Sequence, residues 1–505
     1  LLFYMQRKFL TNLGLMLLLN LLIKPIWIFA IDRNVQNMVG ALDYGFYFEV
    51  LNFSFLFNIF LDLGITNFNN RNIAQNQQLL NKHFSAIVVL KFMLAMVYIF
   101  IAFTIALLMN YKADQMKLLA WLAFNQILTS FILYLRSNVS GLLMFKTDSI
   151  LSVLDRLLMI LFCGVLLWGH LTASSFRIEW FVYSQTAAYG ATALVASLIV
   201  IKKASFRKLN VNWPFFLMII KRSLPFASLV LLMTLYNRLD PVMLGKLLPD
   251  KAIDPHNDIN TAHVQVGIYA NGFRLLDAAN MIAYLFSVLL IPVFSRMIKR
   301  KESVEKMVKL SFTLLITIAV IVAFGCIFYS DELMKLLYKE HFDKSAEVFK
   351  LLIGGFVAVS TTYIFGTLLT ANGNLKQLNI ISLIGLLINF SMNLILIPRL
   401  LAVGSAYASL VTQFFIAIME VIIVQKIFKF KINYRYLLTL IFFVIGVIIL
   451  NFISKAVDLR QLGIGPSENS WLVNFFLMII LSVGFAAALK LLNLKSMLHI
   501  LREDR

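Results

Sequence analysis

The chain has 505 residues, of which 60% are hydrophobic, with a mean hydropathy of +0.84 and a formal net charge of +20. This composition excludes an ordinary soluble domain and indicates a polytopic membrane protein with little mass outside the bilayer. The only two cysteines, Cys163 and Cys326, lie inside apolar runs, which excludes a disulfide framework or a thiolate metal site.

About fourteen stretches are apolar enough to cross a bilayer as helices, because about 20 apolar residues match the hydrocarbon thickness. They lack the strict alternation of a membrane β-strand. The first stretch has no small-residue cleavage site, so it is predicted to be a retained helix rather than a signal peptide. The predicted spans are 11–31, 39–65, 84–110, 118–143, 148–169, 178–201, 215–245, 265–293, 308–329, 348–371, 377–397, 402–425, 436–454 and 471–490.

The basic residues are concentrated on one side of the predicted spans. With a cytoplasmic N-terminus, about 26 cations fall in inside segments and about 13 in outside segments, which is the bias that sets topology. The pattern predicts cytoplasmic termini, cytoplasmic loops at 202–212 and 295–309, and external loops at 246–263 and 331–350, the last containing an amphipathic helix. The positive charge thus indicates topology and contact with anionic lipid headgroups, not nucleic-acid binding.

An internal repeat divides the chain. The segment that starts at Val39 and Gly40 is echoed by the segment that starts at Val266 and Gly267. Each repeat contains six predicted spans, so the two halves are parallel, a design in which transporters bind substrate between the halves. We expect an N-terminal lobe at 1–201, a cytoplasmic linker at 202–214, a C-terminal lobe at 215–425, and two added helices with a cytoplasmic tail at 426–505.

The motifs of common catalytic sites are missing from the sequence. It has no Gly-x-x-x-x-Gly-Lys-Ser/Thr loop, no His-Glu-x-x-His and no Gly-x-Ser-x-Gly. The six histidines are scattered over loops and span ends. We therefore expect no enzyme activity, no catalytic residue, no metal site and no cofactor.

Six cations remain inside the predicted spans, and each needs a partner, a wet cavity or a route to the interface. They are Lys24, Lys91, Arg136, Arg156, Arg238 and Arg274. The deepest, Lys24, Arg238 and Arg274, either pair with acids to hold helices together or line a cationic cavity for a negatively charged substrate. Guanidinium groups suit phosphate. Arg136 is a fourth candidate, whereas Lys91 is expected to extend to the interface.

Acidic residues inside the spans offer a different role. The candidates to carry a coupling proton or sodium ion are Asp43, Glu49, Asp62, Asp240, Asp277 and Glu420. Asp277 is also three residues from Arg274 on the same helix face, so these two side chains could form an ion pair. Arg156 follows Asp155 and is expected to join a local polar pair.

Several motifs in order carry a family resemblance. They are Asn237-Arg-Leu-Asp-Pro-Val-Met-Leu-Gly245, Val266-Gly-Ile-Tyr-Ala-Asn-Gly-Phe-Arg274, Leu368-Leu-Thr-Ala-Asn-Gly-Asn374, Asn389 to Pro398 and Val403 to Thr412. In these the chain resembles the polysaccharide-repeat (O-antigen and capsule) lipid-linked oligosaccharide flippases. That family lies in the superfamily that includes the multidrug and toxin extrusion antiporters and the peptidoglycan-precursor flippase.

The resemblance implies an all-α fold of two six-helix lobes that form a V. Spans 1, 2, 7 and 8 would line a central cavity, and spans 13 and 14 would add a lipid-accessible groove. Such a protein would move an anionic, undecaprenyl-pyrophosphate-linked oligosaccharide from the inner to the outer leaflet of the bacterial cytoplasmic membrane by alternating access. Lys24, Arg238 and Arg274 would hold the pyrophosphate or acidic sugars.

Membrane lipids, and a polysaccharide polymerase and chain-length proteins, are the implied partners, and the implied pathway is lipopolysaccharide or capsule synthesis. Two alternatives stay open. One is a cation-coupled multidrug antiporter of the same fold. The other is a non-transporting membrane scaffold for polysaccharide assembly.

Overall fold

A computed structural model describes residues 18–20, 22–66, 69, 73, 77–142, 144–169, 176–203, 213–249, 258–431, 433–456 and 470–492. Within these residues the chain is helical and contains no strand, which confirms the predicted all-α fold. The α-helices are α1 (Arg33–Leu56), α2 (Leu79–Leu108), α3 (Ala113–Gly141), α4 (Phe145–Trp168), α5 (Ile178–Ile201), α6 (Trp213–Leu247), α7 (Ala262–Lys299), α8 (Glu305–Phe328), α9 (Ser330–Leu337), α10 (Phe342–Ala371), α11 (Leu375–Phe428), α12 (Tyr434–Ala456) and α13 (Ser470–Ala488).

Ten of the described helices are long and apolar enough to cross a membrane, so this is a multi-pass membrane protein. One of the ten, α11, has 54 residues and reverses at Leu401, whose backbone angles are φ 56° and ψ −136°. It therefore accounts for two predicted spans, 377–397 and 402–425. The helices α1 and α6 are not among the ten. They match two of the predicted spans, and they carry several of the charged candidates.

Exposed apolar side chains show which helix faces meet lipid. On α2 the side chains of Phe92, Met96 and Phe100 are 68%, 67% and 71% exposed. Their four-residue spacing puts them on one face of the helix. A large apolar stripe of this kind is unfavourable in water and favourable against acyl chains.

The boundary between the first two predicted spans differs from the prediction. A π-helical turn, Trp27–Asp32, runs directly into α1, and the helix is interrupted only at Gly40, where φ is 81°. The polar residues near 32 suggested a loop. In the structure, Asp32 is buried and accepts a hydrogen bond of 2.9 Å from the hydroxyl of Tyr44, so the helix tolerates it.

The predicted helix in the 331–350 segment is confirmed as α9. The predicted loops at 202–212 and 246–263 are described only in part, since residues 204–212 and 250–257 lie outside the described residues. The C-terminal tail from residue 493 lies outside them as well.

The chain divides into two compact units, Leu1–Gly267 and Ile268–Arg505. In the first unit, α1 packs against α3, α5 and α6, and α5 packs against α3 and α4. In the second unit, α10 packs against α8, α9 and α11, and the pair α12 and α13 packs on α8. The division into lobes at 1–201 and 215–425 remains a prediction.

Candidate functional site

Three of the intramembrane cations gather in the first unit. The charged neighbours of Lys24 are Arg156, Asp155 and Arg136, in that order of influence, with Asp155 opposite in sign. The guanidinium of Arg156 also lies over the ring of Trp27, 5.6 Å from its centroid. We call Lys24, Arg136 and Arg156 the basic cluster.

The basic cluster carries an excess of positive charge. Arg136 Nε lies 2.8 Å from Asp148 Oδ1, and both side chains are largely buried, so this cation is neutralised. Arg156 Nε is 3.8 Å from Asp155 Oδ2, a longer contact between two half-buried groups. Within the described part of the chain, Lys24 forms no ion pair. The ion pairs of the cluster among the described residues thus join Arg136 to Asp148 and Arg156 to Asp155, and leave out Lys24.

Neighbouring contacts fix the backbone that presents Lys24. Trp27 stacks on Phe181 of α5, with ring centroids 5.7 Å apart and planes 6° from parallel. Seven residues before Trp27, the Asn20 side-chain amide donates a hydrogen bond of 3.2 Å to the hydroxyl of Ser152 on α4. These contacts anchor the first helical segment to α4 and α5 on both sides of Lys24.

Arg238 contacts two side chains of α1. Its guanidinium lies over the ring of Phe55, 5.2 Å from the centroid, and Nη1 is 3.4 Å from the side-chain oxygen of Asn52. Asp240, two residues further along α6, is fully buried. The structure therefore places the Arg238 guanidinium against an aromatic face and an amide oxygen of α1.

The remaining candidates occupy different places. Arg274 and Asp277 are half-buried on α7, in the second unit, and their pairing stays a prediction. Asp43 is exposed on α1, where its charged neighbours are Glu179, Arg177 and His263. None of these three residues belongs to the basic cluster as defined here.

Glu49 is, like Asp240, a candidate acid with 0% of its surface exposed. Its Oε2 lies 3.4 Å from Nδ1 of His263, at the start of α7. A Cβ atom at Gly245 would lie 2.2 Å from the Glu49 carboxyl carbon, so the carboxyl group rests directly on the backbone of α6. Sequence reasoning did not single out His263, because 214 positions separate it from Glu49 and no local pattern links them.

Lys91 contradicts its prediction. Instead of extending to the interface, its side chain is 5% exposed and forms an ion pair with Asp62. The Lys91 ammonium also donates hydrogen bonds of 3.0 Å to the carbonyl of Leu61 and to the hydroxyl of Ser130. The prediction failed because the Lys91 ammonium pairs with Asp62 inside the protein and therefore does not need to reach water at the interface.

Solved structures with the same fold include transporters and a flippase. The protein is similar to the lipid II flippase MurJ in an inward closed conformation, with a TM-score of 0.67, 11% identity, and 96% of this chain and 98% of that chain covered. It is also similar to the Vibrio cholerae MATE transporter VcmN in the bent form (TM-score 0.53, 16% identity, 84% and 97% covered). A third is a MOP superfamily transporter from Pyrococcus furiosus (TM-score 0.56, 11% identity, 83% and 95% covered). At these identities the likeness establishes the fold.

A comparison with curated protein sequences gives no match. The profile of a family described as polysaccharide biosynthesis protein matches residues 11–298, more than half of the chain, and covers both the basic cluster and the Glu49 region. Because this profile matches more than half of the chain, the chain belongs to the polysaccharide biosynthesis protein family.

Proposed function

We propose that the protein flips an undecaprenyl-pyrophosphate-linked oligosaccharide across the bacterial cytoplasmic membrane, from the inner to the outer leaflet, by alternating access. Three findings support this function. The family is one of polysaccharide biosynthesis, the fold is shared with a lipid II flippase and with MATE transporters, and charged side chains persist inside a membrane-spanning bundle. Pyrophosphate is the part of such a substrate that these cations would recognise.

The observation that carries the proposal is the surplus cation of the basic cluster. A half-buried ammonium without an ion pair among the described residues, beside two guanidinium groups, is costly in a bilayer unless an anion binds there. A pyrophosphate group would supply that charge. Arg238 and Arg274 are proposed as further contacts to pyrophosphate or to acidic sugars, and Arg136 as a cation held in place by Asp148.

Flipping by reconstituted protein tests the role of Lys24. In liposomes loaded with a fluorescent undecaprenyl-pyrophosphate oligosaccharide, we expect Lys24→Ala to slow flipping about 10- to 100-fold, the equivalent of losing one hydrogen bond to a charged group. Lys203→Ala, which removes an exposed cation at the end of α5, is the matched control and should flip at the wild-type rate. Equal rates for Lys24→Ala and the control would refute the role of the cluster.

Arg274 offers a second test, because substrate binding and pairing with Asp277 predict different results. As a substrate contact, Arg274→Ala abolishes flipping at near-normal thermal stability, and Arg274→Lys recovers only part of the rate because the planar fork is lost. As a partner of Asp277, Arg274→Ala lowers stability, and adding Asp277→Ala restores it. Recovery of both stability and flipping in the double variant would refute the substrate role.

We also propose that both termini lie in the cytoplasm. Cysteines introduced at Asp258 and Lys301, one at a time, report the topology in intact cells. An impermeant thiol reagent should label position 258 and leave position 301 unlabelled. The opposite pattern would reverse the topology.

Cation-coupled drug export is the second candidate function. It draws support from the MATE-type fold and from buried acids such as Glu49, Asp240 and Glu420, which suit organic cations. Asp43 and Asp277 are further candidates for ion coupling. This function would be favoured if variants that no longer flip the oligosaccharide still transport an organic cation.

A further inference from the structure

Three polar side chains, Glu49, His263 and Tyr111, meet beside α1. By strict hydrogen-bond geometry, the carboxyl oxygens of Glu49, Nδ1 of His263 and the Tyr111 hydroxyl are buried and unsatisfied among the described residues, although Tyr111 and Glu49 are close enough to interact. Nδ1 of His263 lies 3.4 Å from Glu49 Oε2, and the Tyr111 phenol interacts with the same carboxyl group. Buried polar atoms are nearly always satisfied, so a cluster of unsatisfied ones indicates a site with a function.

Backbone contacts seal this cluster. A Cβ atom at Gly45 would lie 1.8 Å from the carbonyl oxygen of His263, and one at Gly267 would lie 2.2 Å from the carbonyl oxygen of Ala41. Together with Gly245 against the Glu49 carboxyl, these glycines let α1 touch the end of α6 and the first turn of α7 with no side chain between them. Glu49 therefore lies buried at a place where α1 packs directly on the backbones of α6 and α7.

The charge balance of the pair depends on one proton. With one proton between them, Glu49 and His263 are neutral overall, either as two neutral groups or as an ion pair. Removing that proton leaves a net negative charge, and adding a second leaves a net positive charge, and burial opposes both. Histidine is the side chain that ordinarily titrates between pH 5 and 8.

Charged groups on α1, α5 and α6 lie near the pair. Lys246 of α6 lies over the ring of Tyr111, 4.0 Å from its centroid, and Asp43 of α1 interacts with His263. Asp43 in turn faces Arg177 and Glu179 at the start of α5, which are opposite in sign. Burial raises the pKa of Tyr111, so its phenol stays a neutral donor near pH 7.

We propose that Glu49 and His263 form a proton-binding site that holds one proton while α1 packs against α6 and the first turn of α7, and releases it when this packing opens. The proposal rests on the proposed transport function, in which such opening is a step of the cycle. The chemistry favours a proton over sodium because hard cations take several oxygen ligands, and here an imidazole nitrogen lies 3.4 Å from the Glu49 carboxyl.

The two copies of the internal repeat meet at this same place. Ala41 follows the first Val-Gly pair, at 39–40, and Gly267 belongs to the second, at 266–267. Besides the close approach of Gly267 to Ala41, the side-chain amide of Gln36 lies 3.4 Å from the carbonyl oxygen of Gly267. Proton binding at Glu49 thus acts on a contact between the repeats themselves.

Distance measurements between spin labels test the proposal without any transport assay. The labels are placed at Leu42→Cys on α1 and Asn260→Cys just before α7, both exposed positions, in the full chain in lipid nanodiscs with Cys163 and Cys326 replaced by alanine. In the otherwise unaltered protein we expect longer label distances to appear as pH rises from about 5.5 to 8.5.

Glu49→Gln, which is neutral at every pH, should keep the short distance throughout. His263→Asn, which removes the imidazole from the pair, should change the pH at which the longer distances appear and provides a second variant. Glu347→Gln, which alters an exposed carboxyl in the second unit, is the control and should respond like the wild type. No pH response in the wild type, or the same response in Glu49→Gln, would overturn the proposal.

A flipping assay under an imposed pH gradient separates this proposal from the proposed function. We expect the gradient to accelerate oligosaccharide flipping by the wild type and to leave the rate of Glu49→Gln unchanged. If the wild type does not flip the lipid but its label distances respond to pH through Glu49, the proposed function fails and the proton site stands. If the label distances do not respond, the proton site fails whatever the flipping rate.

Discussion

Replacing Asp62 by asparagine should destabilise the protein more than replacing Lys91 by methionine, although the two residues form one ion pair. The reason is what each change leaves behind. Asp62→Asn strands an ammonium that is 5% exposed and keeps only the Leu61 carbonyl and the Ser130 hydroxyl. Removing one partner of a buried pair costs about 3–5 kcal/mol.

Lys91→Met leaves a better-satisfied group. The Asp62 side chain is 28% exposed, and it still accepts hydrogen bonds from the backbone N–H of Thr66, at 3.3 Å, and from the Thr66 hydroxyl. The Ser130 hydroxyl continues to donate to the Leu61 carbonyl at 3.1 Å. We therefore expect a cost of only about 1–2 kcal/mol. The double variant, with neither charge, should be more stable than Asp62→Asn alone.

Thermal unfolding in detergent measures this order. A thiol-reactive dye reports unfolding here, because Cys163 is fully buried in the folded protein. In a chain of this length each kcal/mol shifts Tm by about 1 °C, so the two single variants should differ by about 2 °C. Equal Tm values, the reverse order, or a double variant less stable than Asp62→Asn would refute the reasoning.

Two further predictions concern close helix contacts. Gly245→Ala should lower Tm by an amount equivalent to about 1–3 kcal/mol, because its new Cβ would lie 2.2 Å from the Glu49 carboxyl carbon. Adding Glu49→Ala should restore part of the loss. Gly190→Ala is the control: a Cβ at this position would have no atom within 4 Å, so Tm should stay unchanged or rise. Gly446→Ala should weaken the packing of α12 on α13, since its Cβ would lie 2.2 Å from the ring of Phe485, and Phe485→Leu should relieve the clash; a Gly446→Ala variant with the wild-type Tm would contradict this contact.

Hydropathy predicted the long apolar helices well, and local contacts explain where it did not. The span predicted at 308–329 is α8, Glu305–Phe328, because an unbroken apolar run determines its position. Around Asp32 the polar residues suggested a loop, but the Tyr44 hydroxyl donates a hydrogen bond to Oδ2 of the buried carboxylate and the helix continues. A sequence pattern contains no information about such a partner.

The candidate site shows the same division. The sequence identified Lys24, Arg136 and Glu49 as charged residues inside predicted spans, and so as candidates for binding a substrate or an ion. Which residues they meet depends on tertiary packing. Asp148 neutralises Arg136, and His263 lies beside Glu49, through contacts between segments that no local spacing connects.

The reversal at Leu401 bears on how the protein is made. A Cβ atom at Gly404 would lie 2.5 Å from the carbonyl oxygen of Leu396, so the two arms of α11 touch backbone to backbone around a single residue. During synthesis the second arm therefore reaches the insertion machinery directly after the first. The two arms have no connecting loop between them that could keep one arm in water while the other inserts. The two arms should enter the bilayer together as one hairpin, and a glycan acceptor or epitope spliced in at this tip would disrupt biogenesis itself.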